Sequence, residues 1–159
     1  AYGSGVDPDN WTENSVAGAS RQTWGSHDGD GWLMALPGYN TNTYGEFYQD
    51  IDVVMPGDIY TFSFWLQGDV LWNGSNVMTR LIWYDSNTNE INNTSNSLDT
   101  YTGNSSWTNL YLKTTAPNNA IRLRVQFDAE SPFNGGGAVK VDDLILSNAA
   151  PSGMGFFIR

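Results

Sequence analysis

Three stretches of this chain alternate apolar and polar residues with a period of two: QDIDVVMPGDIYTFSFWLQGD at 49–69, WTNLYLKTTAPNNAIRLRVQFD at 107–128 and AVKVDDLILS at 138–147. A period of two is the signature of a β-strand that buries every second side chain and frees the others to line a surface. Along 59–67, Tyr60, Phe62, Phe64 and Leu66 share one face, while Thr61, Ser63, Trp65 and Gln67 share the other. Along 121–128, Ile121, Leu123, Val125 and Phe127 oppose Arg122, Arg124, Gln126 and Asp128. No segment keeps a period of 3.6 over ten residues, so long helices are excluded.

The remaining elements follow from turn chemistry. GWLMALPG at 31–38 reads as a short buried strand closed by Pro-Gly. A strand from Phe47 to Met55 is turned by Pro56-Gly57 into the one that starts at Ile59, and Asn73-Gly74 precedes a strand over Val77–Tyr84. The segment 85–106 is nearly all Asn, Ser, Thr and Asp, and is expected to be a long loop with one or two weak edge strands. Strands over Trp107–Thr115, Ile121–Asp128 and Ala138–Leu146 complete the set. Many short strands, 17 glycines and 14% aromatic residues predict an all-β sandwich of two antiparallel sheets. With 159 residues this is one domain, residues 1–159.

Composition narrows the function. A formal charge of −10 argues against nucleic acid and anionic membrane as partners, since both require a basic face. It is compatible with a neutral ligand, a cationic ligand or a divalent cation, although high acidity alone more often means solubility than a partner. There is no cysteine, so no disulfide can staple the fold and a metal could take that role. No apolar run is long enough for a membrane helix. The ends, AYGSGVDPD and GMGFFIR, lead to the expectation of a module cut from a longer secreted or cell-surface protein, with further domains in the same chain.

The order of these pieces resembles the jelly-roll carbohydrate-binding modules of the galactose-binding-like superfamily, in the group of families four, nine, sixteen and twenty-two. The resemblance is carried by Gln49-Asp50-Ile51, Pro56-Gly57, Tyr60-Thr61-Phe62-Ser63-Phe64, the Trp107 strand ending in Ala116-Pro117, the alternating strand from Ile121 to Phe127, and Val141-Asp142-Asp143-Leu144. It spans roughly residues 24 to 147, and the usual Asn-Gly-x-Phe-Glu opening strand is missing. The resemblance implies a jelly roll, a polysaccharide or oligosaccharide as partner, and a role in holding an appended glycoside hydrolase to its substrate. It also implies a structural calcium held by Asp142 with Asp28 or Asp30. The loop SHDGDG at 26–31, two carboxylates among glycines whose carbonyls are accessible, has the oxygen donors calcium needs. The alternative is that Asp28 and Asp30 are turn residues and Asp142 faces solvent. His27 reads as a solvated loop residue, because one His without Cys cannot build a zinc site.

A sugar ring presents an apolar C–H face and a rim of hydroxyls, so its site needs aromatic planes and planar polar groups. The candidates are Trp65 and Gln67 on one strand, Arg80 and Tyr84 on a second, and Arg124 and Gln126 on a third, taken to share the concave face of one sheet. Trp83 is the alternative to Tyr84, since a register error of one residue exchanges the faces. Trp65 and Tyr84 could instead cap the core edge, and Arg124 could pair with Asp128 or Asp143. Gln49 is expected to be buried.

No catalytic constellation is expected. Glycoside hydrolysis needs two carboxyl groups across a cleft, and Glu13, Glu46, Glu90 and Glu130 all fall in expected loops or strand ends. A non-catalytic binding module is therefore the leading expectation. A structural or adhesion domain of a phage fibre or bacterial surface protein is the second.

Overall fold

The computed structural model describes residues 10–13, 20–22, 25–28, 32–35, 43–72, 74–131, 137–150 and 155–157. Its elements are β1 (Thr12–Glu13), β2 (Ser20–Gln22), β3 (Trp32–Ala35), β4 (Thr43–Ile51), β5 (Ile59–Gly68), β6 (Ser75–Tyr84), β7 (Glu90–Ser97), a one-turn helix α1 (Asp99–Thr102), β8 (Thr108–Thr115), β9 (Arg122–Ser131), β10 (Val139–Ala149) and β11 (Gly155–Phe157). Among the described residues the strands form two antiparallel sheets. One runs β1-β4-β9-β6-β7; the other runs β2-β3-β10-β5-β8, with β11 added on β10. The all-β sandwich expected from alternation is the observed architecture.

The core lies between the sheets, where the apolar half of each alternation meets. Phe62, Phe64 and Leu66 of β5 are buried, as are Leu123, Val125 and Phe127 of β9. Phe127 stacks on Phe47 with ring centroids 5.1 Å apart and meets Phe64 edge-on at 5.0 Å, arrangements that add to simple area burial. Trp83 is fully buried, and its indole N–H reaches Thr114 Oγ1 at 3.2 Å, joining β6 of one sheet to β8 of the other. That contact settles the Trp83–Tyr84 alternative: Trp83 points inward, so Tyr84 points out.

Three elements differ from the sequence expectation. β4 begins at Thr43 and ends at Ile51, four residues before the expected end, because the chain from Asp52 turns towards Pro56-Gly57. In that turn Gly57 has φ +85 and the Asp58 N–H bonds the Met55 carbonyl at 3.1 Å. Residues 90–97, in the segment expected to carry one or two weak edge strands, form one full eight-residue edge strand β7, paired along β6 from Met78↔Ser97 to Tyr84↔Glu90. Finally, β10 is interrupted by a bulge between Asp142 and Ile145, with Asp143 at φ +50.

Candidate functional site

The outer face of the β1-β4-β9-β6-β7 sheet carries a polar and aromatic array set by register. Rows of directly opposed residues run across the strands: Glu46, Asp128, Met78 and Ser97; then Tyr48, Gln126, Arg80 and Ser95; then Asp50, Arg124, Ile82 and Asn93; then Arg122, Tyr84 and Glu90. Tyr44 stands opposite Glu130 at one end. Neighbouring rows are about 6.8 Å apart, twice the rise per residue of a strand.

Two networks hold this array rigid. In the first, the buried Asp128 carboxylate accepts from the Nε of Arg80, from the Tyr44 hydroxyl at 2.7 Å and from Gln126 Nε2 at 2.6 Å. Gln126 and Tyr44 also reach Glu46 Oε2, at 3.1 and 3.2 Å. In the second, Arg124 makes a fork with Asp50, at 2.7 Å from Nε and 2.9 Å from Nη2. Its guanidinium lies 3.5 Å over the ring of Tyr48 and 5.4 Å from that of Tyr84. The result is a cation–π layer whose position both a carboxylate and aromatic faces fix. Hydrogen bonding to Asp128 and Asp50 keeps Arg80 and Arg124 charged against the cost of burial. Burial pushes the hydroxyls of Tyr44 and Tyr84 up, so both stay neutral and able to donate. Such a face offers planar donors, carboxylate acceptors and aromatic edges side by side.

Of the six residues expected to form one site, Arg80, Tyr84, Arg124 and Gln126 lie together here. Trp65 and Gln67 do not. Their strand β5 pairs with β10 and β8, which places both on the outer face of the opposite sheet. There the half-buried Trp65 is covered by His27, with ring centroids 3.9 Å apart, and Trp107 meets that imidazole edge-on at 5.7 Å. Gln67 donates to the Ser105 carbonyl and accepts from Lys140. Alternation showed which residues share a face within one strand; it could not show which strands share a sheet. Arg124 pairs with Asp50 rather than Asp128 or Asp143. Gln49 points inward, lining a cavity of about 220 Å³ with Trp11, Ile51, Phe62, Val125, Leu144 and Leu146.

The face also carries Tyr44, Glu46, Tyr48, Asp50 and Asp128, which the six expected residues did not include, although Asp128 reads onto the same strand face as Arg124 and Gln126 and Tyr44 is a weaker candidate beside a loop. The signal was present: TYGEFYQDI alternates Tyr44, Glu46, Tyr48 and Asp50 against Gly45, Phe47, Gln49 and Ile51. Starting the strand at Phe47 hid its first half.

A second constellation sits at the β10 bulge. Ligand atoms of Asp28, Asp142 and Asp143 lie within 4.8 Å of one another. In a regular strand Asp142 and Asp143 would point to opposite faces, and the bulge turns both toward the 25–28 loop. Asp142 Oδ2 accepts the His27 N–H at 2.7 Å, and Asp143 Oδ2 lies 2.8 Å from His27 Nδ1. His27 is therefore held by Trp65 and Asp143, not simply solvated. Burial pushes the Asp142 carboxyl up; the N–H groups of His27 and Asp143 oppose this, while the charges of Asp143 and Asp28 add to it. Oxygen donors carrying this much negative charge fit a hard divalent cation. Asp30 lies outside the described residues, and Asp143 was not anticipated.

No protein-family model and no curated protein matches the chain by sequence. Solved structures do match by shape. The CBM22-1 xylan-binding domain of Paenibacillus barcinonensis Xyn10C superposes with a TM-score of 0.61 at 12% identity, covering 89% of this chain and 86% of that domain. The carbohydrate-binding module TmCBM61, solved with β-1,4-galactotriose, gives 0.59 at 17% identity over 87% and 88%. This chain has the fold of a jelly-roll carbohydrate-binding module. The enzymatically active domain of bacteriophage CBA120 tailspike protein 4 also contains the fold, with a TM-score of 0.68 at 16% identity over 87% of this chain. The chain spans only 19% of that tailspike structure. Among the described residues, no helix is long and apolar enough to cross a membrane.

Proposed function

We propose that this chain is a non-catalytic module that binds a polysaccharide or oligosaccharide on the outer face of the β1-β4-β9-β6-β7 sheet. The observation that carries this is the layer of Tyr48, Arg124 and Tyr84 beside Gln126 and Arg80: ring edges next to donors and acceptors already fixed in place. Preorganised groups lose little freedom when they meet hydroxyls, which is what a weakly apolar ligand requires. Appended to an enzyme, such a module raises the effective concentration of insoluble substrate, which makes a secreted or cell-surface setting the natural one. The face pairs Glu46 with Asp128 across two strands, but Asp128 is buried and already accepts hydrogen bonds from Arg80, Tyr44 and Gln126. It has no open approach for a substrate, so hydrolysis is not part of the proposal.

Calcium is proposed as a structural partner, held by Asp28, Asp142 and Asp143 with backbone carbonyls of the adjoining loop. When bound it would offset the mutual repulsion of the carboxylates and tie the 25–28 loop to β10.

The test of the binding role is calorimetric titration with soluble xylan, β-1,4-galactan and mixed-linkage glucan, comparing the unmodified protein with Tyr48→Ala and Tyr84→Ala. A saccharide that binds the unmodified protein and loses about fivefold or more in affinity with either variant supports the site; each lost ring contact is worth about 1 kcal/mol. Similarity to part of a phage tailspike favours a second reading, a structural or adhesion domain. Failure to bind any chain would move the assignment there.

A further inference from the structure

The three arginines of the outer face would, if free, attract acidic sugars. None of the three is free. Arg124 is forked onto Asp50, Arg122 donates to Asp52 at 2.6 Å and lies 3.9 Å from Asp50, and Arg80 is ion-paired with Asp128. Among the described residues the face presents carboxylates at Glu46, Asp50, Asp52, Glu90 and Glu130, with Asp128 buried beneath it, against these three guanidinium groups, and the whole chain carries a formal charge of −10. A uronate arriving here meets cations already engaged and an excess of like charge. To use an arginine it would have to displace its carboxylate partner, which at Arg124 is held in a two-point geometry.

Resting on the glycan-binding reading, we propose that Asp50 and Asp52 act as a charge filter: they neutralise Arg124 and Arg122 and so exclude acidic chains from a face that accepts uncharged ones. The arginines serve as fixed hydrogen-bond donors and stacking planes, not as anion traps. Asp50 is also a positioning residue, since its fork holds Arg124 between Tyr48 and Tyr84. Asp52 is the more exposed partner, at 69% side-chain exposure against 24% for Asp50. Its neutralisation therefore disturbs packing less.

The experiment compares polygalacturonate with the uncharged chains above, on the unmodified protein, Asp50→Asn and Asp52→Asn, at low and high salt, with melting temperatures as a check on folding. The expected result has two parts. The unmodified protein binds an uncharged chain at least about tenfold tighter than polygalacturonate, and either variant gains about tenfold for polygalacturonate at low salt, a gain that added salt removes. If Asp50→Asn fails to fold, Asp52→Asn decides alone. The filter is overturned if the unmodified protein takes polygalacturonate as readily as uncharged chains, or if folded variants leave the discrimination unchanged. Binding of no chain of either kind overturns the glycan-binding reading itself, and the filter with it.

Discussion

Asp128 belongs to the outward set of β9 by alternation, yet it is 1% exposed. Tyr44, Gln126 and Arg80 close over it and all donate to it. A buried carboxylate with three donors organises its neighbours, and removing its charge leaves a guanidinium without its counter-ion. Asp128→Asn is expected to lower stability by about 3 kcal/mol in urea denaturation, and to weaken saccharide binding because Arg80, Tyr44 and Gln126 lose their common anchor. An unchanged midpoint would show that the network contributes nothing to stability. At this scale the sequence was legible within each strand: Arg122, Arg124 and Gln126 were read onto one face because Leu123, Val125 and Phe127 fix the other. Its limit shows at Asp128, whose burial depends on Tyr44, 84 residues away in sequence. Trp65 shows the same limit, since its partner sheet is chosen by long-range pairing.

Strand β7, EINNTSNS, illustrates how an element can hide. It offers few apolar side chains, and most of its residues are exposed, so composition alone points to a loop with weak edge strands and not to a full one. What makes it a strand is backbone pairing along β6, and what starts that pairing is the turn at Asp85. The Asp85 carboxylate accepts the N–H of Asn87 at 2.8 Å and of Asn89 at 2.9 Å, and the Asn89 side-chain amide at 3.2 Å. These bonds, the Asn89 N–H foremost, hold its carboxyl below the ordinary range. A carboxyl whose folded pKa is depressed adds stability above its unfolded pKa of about 3.9, and that stability is lost as pH falls through the folded value. Protection factors of the β6–β7 hairpin amides, taken against the intrinsic exchange rate at each pH, are therefore expected to fall on acidification before those of β5 and β9, and Asp85→Ala should abolish this pH dependence. Equal protection at all pH values would mean the turn is held by β6 alone. The cleaner strands β5, β8 and β9 were visible beforehand because their buried halves are aromatic or branched. The start of β4 was missed because its outward half, Tyr44 and Glu46, is broken only by Gly45 and no apolar side chain precedes Phe47.

The molecule as a whole has no disulfide to join its early segments to the late strands. The 25–28 loop meets β10 through charge: His27 bonds both Asp142 and Asp143, and Asp28 brings a third carboxylate to the same place. Three carboxylates this close repel one another, and the cost is largest for Asp142, which is buried. Without a cation that repulsion weakens the junction; with one it becomes a cross-link between segments more than a hundred residues apart in sequence. Calcium that binds the folded chain but not the unfolded one stabilises it by about 2.7 kcal/mol at a hundredfold excess over Kd. For a domain of this size that corresponds to a rise of about 5–10 °C in Tm. The rise should grow with the logarithm of calcium concentration, be smaller with magnesium, which holds its water more tightly, and reverse with chelator. Asp143→Asn should abolish it, while Tyr84→Ala, on the other sheet, should leave it intact. A calcium response that survives Asp143→Asn would place the cation elsewhere than the β10 bulge.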